Sequence, residues 1–186
     1  MKIVKDPEID EIADLLIGGG IAVIRTDTLY GIVACADNKE AVEKVFKAKS
    51  RPLDKQCIVL MAGSAHMWDE LSEKTYDEAF AEPPETPTSV IVPVGTDTPE
   101  WIHRGGSDVA FRVPNNMFLH ELLLHAGPLI APSANPDGLT PAQSVNQAVE
   151  YFGDTVDMYV DGGSIDDVTP SQLVRVHPDG TLERLR

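Results

Sequence analysis

Hydroxyls, an amide and cations recur in this chain where apolar runs end. Ile21-Ala-Val-Ile24 runs into Arg25-Thr-Asp-Thr28, a polar bend with two hydroxyls and a carboxylate, followed by the ring of Tyr30 and the unhindered backbone of Gly31. Pro128 to Ala131 runs into Pro132-Ser-Ala-Asn135, and Thr169-Pro-Ser171 opens a further apolar run to Val176. Open α/β sheets bind ligands outside the carboxyl ends of their strands, so these stretches are candidates for one shared site. The basic residues are clustered too: Lys44, Lys47, Lys49, Arg51 and Lys55 are five of 15 in the chain, against the single carboxylate Asp54 within that stretch. Cations at a helix C-terminus meet the negative end of its dipole, by ~0.3–1 kcal/mol each, which accounts for two of Lys47, Lys49 and Arg51. A cationic island in a chain of net charge −15 points beyond that, to a small anionic ligand. With the hydroxyls, it suits a molecule carrying phosphates, a base or ribose edge and a polar amino acid.

Other chemistries are disfavoured. Ser133 is not in a GxSxG elbow, and no GxxxxGK[ST] loop occurs. Gly18-Gly-Gly20 precedes a strand, which makes it a helix stop and not a dinucleotide fingerprint. Cys35 and Cys57 lack CxxC spacing, so they read as small reduced core residues. His120 and His125 are five apart, unsuited to one metal, and His66, His103 and His177 have no partner spacing; no metal ligands are expected. Asp161-Gly-Gly163 reads as a turn. The acidic surface repels phosphate backbones and opposes whole-surface nucleic-acid binding. No apolar run nears the ~20 residues of a membrane span, and the N-terminus lacks an apolar signal region. A cytoplasmic protein without membrane association is expected.

The positioning elements follow from periodicity. Asp6-Pro7 caps a helix with apolar face Ile9, Ile12, Ala13 and Leu16. Asp37-x-x-Glu40 is a capping box for a helix burying Ala41, Val42, Val45 and Phe46, which Pro52 closes. Cys57 to Ala62 reads as a strand, and 64–82 as an irregular helix with Met67, Trp68, Leu71, Tyr76 and Phe80 in the core. The proline-rich Glu82 to Pro87 is a connector. Thr88 to Val94 and Asp108 to Val113 are strands; Asn115 caps a helix burying Leu119, Leu122, Leu123 and Ala126. Pro128 to Ala131 is a strand, Thr140-Pro-Ala-Gln143 starts a helix, and Met158 to Val160 is a strand. Ser171 to Val176 and Thr181 to Leu185 flank a hairpin turn at His177-Pro-Asp-Gly180. Seven or eight strands interleaved with four or five helices imply an α/β fold, a single domain over 1–186 with an open, twisted mixed sheet flanked by helices. The residues alone lead to an anion-binding α/β enzyme or binding module.

Six segments carry a resemblance: Thr26-Asp-Thr-Leu-Tyr-Gly31, Lys49-Ser-Arg-Pro52, Pro87-Thr-Ser-Val90, Val109-Ala-Phe-Arg-Val-Pro114, Ala131-Pro-Ser-Ala-Asn135 and Pro170-Ser171. In this order they resemble the YrdC/YciO family, in its single-domain form, whose enzymatic members are threonylcarbamoyl-AMP synthases. The resemblance implies a large positively lined cavity. There ATP, L-threonine and bicarbonate would give threonylcarbamoyl-AMP and pyrophosphate, with Mg²⁺ carried mostly by ATP. The product would serve downstream tRNA threonylcarbamoyl transferase proteins in making N6-threonylcarbamoyladenosine. It also implies roles: Thr28 and Ser171 contact threonine, while Lys49 and Arg51 are the catalytic cations holding phosphates and the carboxylate-bearing intermediate. Lys55, Ser89, Ser133, Asn135 and Arg184 contact the nucleotide. Alanine at Lys49 or Arg51 is then expected to abolish turnover and leave thermal unfolding nearly unchanged. The chain departs from its relatives at Arg25, Lys55-Gln-Cys57, Pro136-Asp137 and Gln172. The alternatives are a YciO-like protein with weak or different carbamoyl-adenylate activity, and a module whose cationic concavity holds tRNA or other double-stranded RNA.

Overall fold

The computed structural model describes residues 2–5, 7–79, 86–166, 169–177, 179 and 181–186. Among them are β1 (Lys2–Lys5), α1 (Ile9–Ile17), β2 (Ala22–Arg25), β3 (Tyr30–Cys35), α2 (Lys39–Lys49), β4 (Val59–Leu60) and α3 (Glu70–Ala79). There follow β5 (Thr88–Pro93), α4 (Glu100–His103), β6 (Asp108–Arg112), α5 (Met117–Ala126), β7 (Leu129–Ile130), α6 (Val145–Phe152), β8 (Met158–Asp161), β9 (Gln172–Val176) and β10 (Leu182–Arg184). The strands form one sheet in the order β1-β8-β2-β3-β7-β4-β6-β5-β9-β10. Pairing is mixed: β8 is parallel to β1 and β2, β4 to β6 and β5 to β9, and the other pairs are antiparallel.

Alternation along the strands builds a core on each face. Ile21, Val23, Tyr30, Ile32 and Ala34 point to the side covered by α2, α3, α4 and α6, through Val42, Val45, Phe46, Tyr76, Ile102, Val145 and Phe152. Ala22, Ile24, Val33 and Cys35 point to the side covered by α1 and α5, through Ile12, Leu16, Leu119, Leu122 and Leu123. The cysteines are free and buried, one in each core. Among the described residues no helix is long and apolar enough to cross a membrane.

Two strands go beyond the sequence reading. β3 is buried along its whole length, so it carries no alternating signal, and it follows the polar bend after four residues; what reads as a strand exit is one arm of a hairpin. β1 is a mostly exposed strand at the sheet edge. Helix starts also shift. Asn38, not Asp37, caps α2, its Oδ1 accepting the Ala41 N–H at 3.0 Å, while Asp37 accepts from Trp68 Nε1 at 2.6 Å. Asn116 and not Asn115 caps α5, and Ser144 caps α6 in place of Thr140. α1 starts at Ile9 behind Glu8, without a side-chain cap bond. Where two cap-competent residues adjoin, sequence leaves the choice open, and contacts from elsewhere make it. The Gly18 stop holds, with Gly19 at φ 83°. β9 and β10 pair as a hairpin. Asp6, most of the 82–87 connector, Phe80, the Leu71 side chain, Pro178 and Gly180 lie outside the described residues.

Candidate active site

The hairpin between β2 and β3 turns on Thr26. Its Oγ1 accepts the N–H groups of Thr28 (3.2 Å) and Leu29 (3.1 Å) and donates to the Leu29 carbonyl at 2.6 Å, closing the bend locally. β3 then leads directly to the second hydroxyl-rich stretch. Beyond its pairing with β7, Gly31 bridges Ser133; Ala134 N–H donates to Tyr30 O at 2.7 Å and Ile32 N–H to Pro132 O at 3.0 Å. Gly31 allows this close approach, since a Cβ there would stand 3.2 Å from the Thr26 methyl and 3.5 Å from Pro132 O. The cation arrives from α2. Ser50 adopts the left-handed conformation at φ 50°, the amides of Ser50 and Arg51 close onto Lys47 O and Phe46 O, and the chain leaves the helix at Arg51. Ser171 precedes β9, its Oγ 2.8 Å from the Oγ of Ser89 on β5.

These four arrivals meet. One cavity of about 470 Å³ is lined by Thr26, Thr28, Ser133 and Ser171, by the guanidinium-bearing Arg51, Arg112 and Arg186, and by apolar Leu29, Ile58, Pro132, Pro141 and Pro170. That volume suits a small-molecule site, roughly 300–1,000 Å³. Among the described residues the lining holds three arginines and no Asp or Glu, although the whole chain carries a net charge of −15. Cys57 also lines it, with a thiol that burial pushes up, against the opposing pull of Arg51, so it is a poor nucleophile. A second cavity, of about 650 Å³, shares only Thr26 with the first and is walled by Arg25, Asp27, Asn115 and Asp161 among others; none of the nine site residues named from sequence lines it.

Thr28, Arg51, Ser133 and Ser171 are thus brought together; five others are placed differently. Lys49 is 1% exposed and does not line the cavity. Its ammonium donates to the carbonyls of Ser133 and Asn135 and, at 3.4 Å, to Asn135 Oδ1. Burial, then the neighbouring Arg51, lowers its pKa to about 8. The Asn135 side chain is likewise consumed, with Oδ1 accepting from Ser133 Oγ at 2.6 Å and Nδ2 donating to the carbonyls of Pro136 and Leu139. Ser89 is fully buried behind Ser171. Lys55 pairs with Asp137 at 3.1 Å, half exposed. Arg184 is exposed, and Arg186 lines the cavity in its place, its Nε donating to Ser171 O at 3.0 Å. β10 ends between them, which sets their side chains apart.

Arg112 is the other residue the site reading lacked, although it stands inside the Val109 to Pro114 segment. It ends β6, a cation after an apolar strand, and that position is the signal that could have found it. Its Nη2 donates to Asp27 Oδ1 at 2.9 Å, both side chains being 5% exposed, and lies 3.4 Å from Thr28 Oγ1. Burial pulls the guanidinium pKa down while Asp27 opposes this. Among the described residues Asp27 Oδ2 and Arg112 Nε find no hydrogen-bond partner, and the pair is held by one bond where two are available.

Chemically, the cavity offers neutral hydroxyls beside fixed cations, an arrangement for polyanion binding and charge stabilisation. Among the described residues no group of three or more His, Cys, Asp or Glu could hold a metal ion. The family model Sua5_yciO_yrdC, described as "Telomere recombination", matches residues 14–186. A threonylcarbamoyl-AMP synthase of Marinobacter nauticus is 30% identical over 166 residues, 87% of each chain. One from Pseudomonas paraeruginosa is 32% identical over 160 residues, covering 84% of this chain and 85% of the relative. The crystal structure of P. abyssi Sua5 complexed with L-threonine matches the fold with a TM-score of 0.80 at 24% identity, over 100% of this chain, which spans 56% of that one. With a ten-stranded mixed sheet, this cavity and a match over nearly its whole length, the chain belongs to the Sua5/YciO/YrdC family.

Proposed function

We propose that this protein is an L-threonylcarbamoyladenylate synthase, a cytoplasmic nucleotidyltransferase that makes threonylcarbamoyl-AMP for threonylcarbamoyl transfer to tRNA. The observation that carries the reading is the meeting of Thr28, Arg51, Ser133 and Ser171, with Arg112 and Arg186, on one cavity with no Asp or Glu among its described lining residues. In the reaction, bicarbonate and the amine of threonine give a carbamate and water. A carbamate oxygen then bonds to the α-phosphorus of ATP, and the bond to the bridging oxygen breaks to release pyrophosphate. Carbamate, carboxylate and triphosphate must be packed together, and their mutual repulsion is the main obstacle. Arg51 and Arg186 would oppose it at the phosphates, and Arg112, beside Thr28, at the amino-acid carboxylate. Ser171 would contact threonine and Ser133 the nucleotide. Among the described residues no group of His, Cys, Asp or Glu could cage a metal ion, and Mg²⁺ would be held by the triphosphate itself. Catalysis by this chain would be positioning and charge stabilisation.

Pyrophosphate release from ATP tests this. It is expected to require both L-threonine and bicarbonate. Release indifferent to threonine would assign the chain to the YciO-like alternative with another acceptor. Tight, steeply salt-dependent binding of double-stranded RNA without turnover would assign it to the RNA module, which the net charge of −15 opposes.

A further inference from the structure

We infer that Lys49 is a positioning residue whose buried ammonium fastens the 133–139 loop, setting the Ser133 hydroxyl at the cavity as a hydrogen-bond acceptor. This deepens the functional reading above and rests on it for what the cavity binds. Both ends of Lys49 hold the loop. Its ammonium donates to Ser133 O, Asn135 O and Asn135 Oδ1, and its own carbonyl accepts the Asp137 N–H at 2.8 Å. Three oxygen acceptors account for the three N–H bonds of an ammonium, so none remains for a ligand in this arrangement. A compact point charge suits three convergent oxygens; a planar guanidinium does not. Arg51, two residues on, lines the same cavity, so one residue registers its cationic wall against its hydroxyl wall.

The bond directions follow from Asn135. Its Nδ2 faces the carbonyls of Pro136 (3.0 Å) and Leu139 (2.7 Å), so that atom must be the donating nitrogen. Oδ1 therefore faces Lys49 and Ser133, and can only accept. The Ser133 hydroxyl proton points inward to it at 2.6 Å, and only oxygen lone pairs remain for the cavity. Ser133 consequently selects a donor on the ligand, such as a ribose hydroxyl or an amine, and turns away phosphate oxygens. The cation is held by neutral acceptors. The charged and titratable groups around it are Arg51 just beyond α2, Asp137 in the loop and Cys57 ahead of β4. Burial and Arg51 favour proton loss, which sets the value near 8, and a neutral amine retains only two of the three donors.

Two measurements test the assignment, and neither depends on the activity of the protein. In Lys49→Met, amide exchange of Asp137 and Leu139 is expected to speed up at least about tenfold while the core strands stay protected. If turnover is present, KM for ATP rises more than kcat falls. In the wild-type chain, exchange at the same amides, corrected for its intrinsic pH dependence, is expected to slow from about pH 7 to about pH 9.5, because an opening that exposes Lys49 to water restores its ordinary proton affinity, and global unfolding stability does not drop. The sign is set by linkage: with a folded value of about 8 and an ordinary value of 10.5, the unfolded chain binds the extra proton between them. Lys49's contribution to stability therefore rises with pH, for opening of the loop as for global unfolding. Unchanged loop exchange in Lys49→Met would overturn the inference, and with turnover abolished as well it would assign Lys49 to the reacting atoms. A flat wild-type profile would overturn it as well, and serves alone if the variant does not fold. A wild type that exchanges as expected but releases no threonine-dependent pyrophosphate sinks the synthase reading and leaves Lys49's structural role standing.

Discussion

The bend at residues 26–29 and the loop at residues 133–139 line the same cavity, through Thr26 and Thr28 on one side and Ser133 on the other, and they are held in place by opposite means. The bend is closed by a neutral group, Thr26 Oγ1, and its charge is paired: Asp27 meets Arg112, which comes from β6. The loop is closed by a cation with neutral acceptors only, and the nearby Arg51 is of like charge. A paired buried charge is costly to break. A lone ammonium among carbonyls gives up its proton more readily. One wall of the cavity is therefore fixed by a buried ion pair, and the other hangs on an ammonium whose value near 8 makes it sensitive to pH.

The largest test of that contrast is on the paired side. Arg112→Met leaves Asp27 buried without its partner, and chemical denaturation is expected to show a loss of about 3–5 kcal/mol, largely regained in Asp27→Leu/Arg112→Met. Recovery in the double variant without recovery of turnover would separate the structural work of the pair from the charge it offers a ligand. Arg51→Ala is next. Turnover is expected to fall by about 10²–10³, as for the loss of one group that stabilises developing charge, with unfolding changed by less than ~1 kcal/mol. The same variant sharpens the contrast, because removing the like charge should move the loop's exchange midpoint above the value near 8. If the midpoint stays, the burial of Lys49 alone sets it. Thr26→Val removes the hydroxyl that closes the bend and should cost about 1–2 kcal/mol, equally at neutral and alkaline pH, in thermal unfolding. The smallest effects belong to Lys55→Ala and Arg184→Ala. Their exposed contacts should change stability by less than ~1 kcal/mol, and pyrophosphate release should stay within about twofold of wild type.

The placement of Lys49 adds to one expectation drawn from sequence: its loss is expected to loosen the 133–139 loop as well as to lower turnover. Lys49 and Arg51 look equivalent in the segment Lys49-Ser-Arg-Pro52: two cations at a helix end, two residues apart. The left-handed turn at Ser50 sends them in different directions, one into the protein and one into the cavity. The acceptors that claim Lys49 are 84 and 86 residues away, beyond the reach of any local pattern. Arg184 and Arg186 differ in the same manner, since one belongs to β10 and the other lies past its end, against Ser171. Arg112 was visible as a cation after an apolar strand, yet its importance depends on Asp27, which comes from a separate hairpin.

Apolar periodicity, glycine stops and hydroxyls at strand ends were enough to determine the α/β class and most of the elements, and the resemblance of six short segments singled out Thr28, Arg51, Ser133 and Ser171, which line one cavity. These are local properties, written in the spacing of neighbouring residues. Tertiary structure alone decided which of two adjacent caps is used, which lysine or arginine faces the cavity, and which hydroxyl is an acceptor. A buried polar group must find its partners wherever the fold brings them, and for Lys49, Asp27 and Ser171 those partners lie more than 80 residues along the chain.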